Sequence, residues 1–287
     1  MATPGRHGVP RGRAAALGLG VTMLLVALSG YAMIAGVLGK LVGIAWVAFL
    51  GMASAAALGT RARSDHPRGQ VWGYGLAAGA MITSAAVFLV PQAVTQAPRA
   101  AGFGLAAGLL LGFAGHTIGH RLTHLGLPID RTAAELTAHA IAAGVIIGVV
   151  YAAMPSLGPL LGLAIVSHKG PAGFAAARRL SRAGTSPVVL LLPSAALGVS
   201  ALAAGLLQPP TGPVFRGVLF GFATGIFLHV AMDFLPSCET GSEVHDAVTR
   251  SASTDAHARL DALRLHAVAS TVLGGLAVFL AWLLVVT

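Results

Sequence analysis

Nine apolar stretches, each close to the ~20 residues a helix needs to cross a bilayer, occupy most of this chain. They run at about 17–38, 41–60, 71–91, 101–120, 133–153, 159–177, 188–207, 214–236 and 265–286. The separators are short and carry turn chemistry, as in Gly126-Leu127-Pro128 and Gln208-Pro209-Pro210. Only 9% of the 287 residues are charged and 56% are hydrophobic, against about 25% charged in an ordinary soluble domain. The expected fold is therefore all-α, a polytopic transmembrane bundle of about nine spans. The 38 glycines suit such a bundle, because small residues let helix backbones approach in lipid. The chain divides into a tail over 1–13, two N-terminal helices over 14–60 and a helical core over 61–236. A polar loop follows over 237–263, with a short amphipathic helix expected near its end, and a last helix over 264–287. The arginine-led N-terminus is similar to a secretion signal, but its apolar run extends to about Leu38 without a clear cleavage site, so it reads as an uncleaved first span.

The basic residues test that count. With the N-terminus cytoplasmic and nine alternating spans, fourteen of the eighteen Lys and Arg residues fall inside. Lys40, Arg99 and Arg216 fall outside, and Lys169 lies within a span. This is the asymmetry that orients membrane proteins, and removing one early span would invert it. It predicts a cytoplasmic N-terminus, an outside C-terminus and residence in the cell membrane. It also accounts for the net charge of +9 without nucleic acid, since no basic helix or aromatic-interleaved patch occurs. A single cysteine, Cys238, excludes an intrachain disulfide and a multi-cysteine zinc site.

Ionisable groups at membrane depth are costly and mark pathways or sites. Here they cluster. His116, His120 and His124 are spaced by four at the end of the fourth span, one helical face with metal-ligand spacing. Glu135 and His139 are four apart in the fifth span. The sixth carries His168 and Lys169, and the eighth carries His229 and Asp233. Blander readings stand beside these. His229 is also explained by a hydrogen bond to a neighbouring helix, and Glu135 by a water-facing place in a first helical turn. Lys169 needs a partner or a wet cavity. Pro171 lacks an amide donor and crowds the carbonyl of Ser167, which predicts a kink there.

From these residues the chain resembles the ZIP family of divalent metal transporters. The family's core comes from two consecutive helices with His-Asn-x-Pro-Glu-Gly-like motifs. His139-Ala140-Ile141-Ala142-Ala143-Gly144 is similar to the first, and His168-Lys169-Gly170-Pro171-Ala172-Gly173 to the second. The second most resembles the Golgi-type His-Lys-x-Pro branch. Gly79 through Gln92 and Gly225 through Pro236 resemble two further family helices, in the family's order over about 71–287. The resemblance implies an eight-span core preceded by one extra helix. Its carboxylate positions are altered, to Ala143, Ala172 and Gln92, with His116 at another.

The resemblance implies a metal path through His139 and His168, with Glu135, His116, His120, His229 and Asp233 as candidates to complete the shell. Lys169, Pro171, Gly144 and Gly173 would shape the helix and the path. Imidazole with one carboxylate favours zinc, copper, cobalt or nickel over magnesium or calcium. Lys169 would oppose a second cation, which predicts one ion at a time. The expected activity is transport of a divalent transition metal, zinc first, as substrate, without an organic cofactor and without enzymatic chemistry. Expected partners are the ion and membrane lipids, with a homodimer as candidate assembly. A non-transporting sensor or structural relative is the alternative, because carboxylates are lost. A bis-histidine haem protein is a third reading, against which the His-Lys-x-Pro context argues.

Overall fold

Four of the helices start on proline, which fits the first turn because its missing N–H has no intrahelical partner there. They are α3 (Pro67–Ser84), α5 (Pro98–Leu122), α7 (Pro159–Val166) and α10 (Pro213–Asp233). The computed structural model describes residues 11–61, 67–122, 130–207, 209–210, 212–236 and 256–286. Every secondary-structure element among them is helical. The others are α1 (Arg11–Ile34), α2 (Gly39–Arg61), α4 (Val90–Gln96), α6 (Arg131–Ala153), α8 (Lys169–Arg182), α9 (Leu191–Gly205) and α11 (Ala256–Val286). A π turn over Ala85–Leu89 joins α3 to α4 without a break. Pro91 crowds the carbonyl one turn before it, and widening the helix relieves that clash. At the start of α6, the Asp130 carboxylate accepts from the Thr132 amide at 2.8 Å and caps the helix.

Among the described residues, eight helical segments are long and apolar enough to cross a membrane. The protein is an integral membrane protein. The sixth apolar stretch, expected at 159–177, is not one helix. It divides into α7 and α8 at Ser167–His168, with His168 as the cap of α8. The break falls one turn before Pro171, where the proline's missing N–H would have served Ser167. The last helix takes in the end of the polar stretch, where a short helix is also expected. It begins at Ala256, so the last eight residues of the expected loop at 237–263 are its first two turns. Cys238, His245 and the rest of that loop up to 255 lie outside the described residues.

Glycines set the helix pairs. Gly104 and Gly108 of α5 face the carbonyls of Val218 and Phe222 of α10, and Gly221 and Gly225 face Ala101 and Leu105 in return. Gly144 and Gly148 of α6 meet the carbonyls of Leu197 and Ala201 of α9. Gly79 of α3 meets Thr271 of α11, while Gly173 of α8 meets Met52 of α2. A β-carbon at any of these positions would strike backbone, so only glycine allows the approach. Each pair advances in the same direction along both helices, so the partners run parallel. Because α6 and α9 are parallel, the chain between them has to return through the bundle, and α7 and α8 carry it. At the α6–α7 end, Lys40 donates to the carbonyls of Pro155 and Leu157, both at 2.9 Å. The Tyr151 hydroxyl donates to Gly158 at 2.7 Å and accepts from the Gly162 amide at 3.1 Å.

Candidate functional site

His139 sits two turns into α6, about 12 Å along its axis at 1.5 Å per residue. His168 sits at the α7–α8 break. The break brings the two rings together: their Nε2 atoms are 3.3 Å apart and their planes meet at 62°. One ring donates and the other accepts, as their tautomers dictate. His168 is 1% exposed, and α10 closes around it with Phe227 and Phe234, whose ring centroids lie 5.6 and 6.3 Å away. Lys169, 3% exposed, follows in the first turn of α8.

His139 faces a cavity of about 690 Å³. Thr132, Glu135, Arg179 and Pro236 also line it, so it reaches the end of the bundle where α6 begins and α10 ends. His229 and Asp233 enter from α10, with Nε2 and Oδ2 3.4 Å apart. Four of the seven candidate ligands, Glu135, His139, His229 and Asp233, therefore share one cavity, and His168 meets His139. His116 and His120 lie on α5, but their side chains are outside the described residues. The cavity is otherwise lined largely by alanines, among them Ala138, Ala142, Ala172, Ala175 and Ala176. Ala172, a position where the resembled motif carries a carboxylate, is thus a cavity-lining residue. Ala143 is not; it is buried in the core.

Among the described residues, no three His, Cys, Asp or Glu side chains stand close enough together to enclose a metal ion. What the site offers is a pair of imidazoles with acidic groups nearer the mouth. Two nitrogens bound tetrahedrally to one zinc at ~2.05 Å lie roughly 3.3 Å apart. The separation of 3.3 Å is close to that requirement, but with the ring centroids 5.6 Å apart the two nitrogens meet head-on, as in a hydrogen bond, so a shared zinc requires the rings to tilt toward a common point.

Two expected path residues turn out to pack instead. Gly144 and Gly173 face neighbouring backbones rather than the cavity. Conversely, Gly112 was not singled out in the sequence. A β-carbon there would strike the His229 ring, so this glycine makes room for the imidazole. Its place in the series Gly104, Gly108, Gly112 is the signal that could have found it. Set against known proteins, the chain matches no family model and no curated protein sequence.

Proposed function

We propose that this protein passes a divalent transition metal ion, zinc first, through a two-histidine site made by His139 and His168. The observation that carries the reading is the facing Nε2 pair, 3.3 Å apart, beside a cavity that reaches one end of the bundle. The α7–α8 unit serves as the ninth crossing, with its break at the depth of the ion. Glu135 and the His229–Asp233 pair lie between the mouth and that site, in a position to draw in a cation. Two imidazoles completed by water bind an ion weakly enough to release it, as permeation requires. Buried Lys169 opposes a second cation, so ions pass singly. The positive-inside asymmetry puts the cavity mouth on the cytoplasmic side. Transport then needs the α6–α7 end, held by Lys40 and Tyr151, to open by rocking of helices.

One observation favours a second reading. Ala172 lines the cavity at a position where the resembled motif carries a carboxylate, and that loss fits a fold that senses metal or serves a structural role without transport. Zinc-65 uptake into proteoliposomes separates the two. Saturable uptake that disappears in the double variant His139→Ala/His168→Ala supports transport. No uptake of zinc, cobalt, nickel or copper by intact wild type would leave the second reading.

A further inference from the structure

A second cavity, of about 340 Å³, lies between α2, α3 and α8. It touches the large one through Tyr74 and Ala175, which line both. Glycine makes this space. A β-carbon at Gly69 or Gly73 of α3 would meet nothing within 4 Å, and at Gly170 of α8 only a carbonyl at 3.8 Å. Gly75 and Gly79 of the same α3 face α11 instead, at the Ser270 side chain and the Thr271 carbonyl. The glycines lining the cleft are therefore not needed for helix approach, and they leave a space that apolar groups largely enclose. Among the described residues that line it, none is acidic. Among those residues the one charged group is Arg178, 7% exposed, with its guanidinium carbon 5.9 Å from the centre of the Phe174 ring. Exposed Arg61 ends α2 and exposed Arg68 stands beside Gly69, so all three flanking helices bring an arginine to this end of the bundle.

We propose that the cleft binds an anionic phospholipid, one acyl chain lying over Gly73 and Gly170 and the phosphate at Arg178. Guanidinium groups match phosphate oxygens in a two-pronged fashion. Basic pockets between membrane helices select acidic headgroups. The bland alternative is an arginine near the C-terminus of α8 favoured by the helix dipole. That explains the charge but not the open glycines. Gly170 and Pro171 belong to the turn that follows His168, so a bound chain would brace α8 where the histidine is set. The inference rests on the cleft alone, whether or not the larger cavity passes metal.

Native mass spectrometry of the full-length detergent-purified protein tests it, with phosphatidylglycerol, phosphatidylcholine and inorganic phosphate as probes. Wild type should retain one phosphatidylglycerol at least tenfold better than phosphatidylcholine, whose phosphate is followed by a quaternary ammonium that the arginines at this end oppose. Arg178→Gln should remove that preference and Arg178→Lys should keep part of it. Gly73→Leu, which fills the apolar part and leaves the charge, should lower retention independently of any folding defect in the arginine variant. Equal retention of both lipids, or undiminished retention in both Arg178→Gln and Gly73→Leu, would overturn the proposal. So would displacement of the lipid by millimolar inorganic phosphate, which would make this a free-anion site.

Discussion

The α5–α10 interface and the α7–α8 break lie side by side and obey opposite rules. Along α5 and α10, glycines four apart on both helices put backbone against backbone, and the two helices continue unbroken for 25 and 21 residues. At the break, an equally apolar stretch gives up its continuous helix, and His168 and Lys169 become buried. The first region uses regularity to hold the bundle without a hydrophobic drive between helices. The second uses irregularity, tolerated in membranes only where protein or a wet cavity covers it. A single chain thus separates the part that holds shape from the part that presents chemistry.

The largest expected effect breaks the first region. Gly108→Leu drives a side chain into the Phe222 carbonyl and the Gly225 backbone of α10. Because both sides are backbone, relief requires the helices to part, at a cost of about 3 kcal/mol or more. The variant should not purify as a single species by size-exclusion chromatography, whereas Gly102→Leu, which meets nothing, should behave as wild type. Equal behaviour of the two would mean that the glycine contacts do not govern packing.

Next in size is the second region. Replacing His139 and His168 together should lower zinc-65 uptake by at least about 100-fold, since losing even a ligand's hydrogen-bonding partner costs about 10- to 100-fold, without changing the elution profile. A change in both uptake and elution would assign the pair to packing. A gain should follow from Ala172→Glu. That side chain would enter the large cavity and supply the missing carboxylate, so zinc should bind about tenfold tighter in equilibrium dialysis. Unchanged affinity would mean that residue 172 does not reach the ion. The smallest effect belongs to Asp233→Asn. Asp233 is 41% exposed and its contact with His229 is long, so solvent screening limits the pair to under ~1 kcal/mol. Uptake should fall by no more than about threefold.

The same contrast explains what could be read from residues alone. Length and apolarity announce α2 or α6 directly, since nothing else hides twenty such residues. They announce 159–177 equally well, because hydropathy counts composition and not hydrogen bonds. Pro171 tells of a distortion, but its place at Ser167–His168 needs the packing of α2 and α10 around it. The meeting of His139 with His168 was legible from the resembled motifs. The burial of His168 by Phe227 and Phe234 was not, since those residues arrive from a distant helix. Gly144 and Gly173 read as path residues for a related reason: a glycine's spacing does not say which neighbour it admits. The polar residues from Ala256 onward suggest a short separate helix, and their continuity with α11 was hidden because that helix extends beyond its apolar part.

The central claim is that His139 and His168 hold one ion between them. Zinc K-edge X-ray absorption on the purified protein loaded with one equivalent tests it most directly. The account predicts two imidazole nitrogens near 2.0–2.1 Å, with oxygen completing the shell, and loss of one imidazole in each single His→Ala variant. A spectrum of fully hydrated zinc, or one that neither substitution alters, would contradict it.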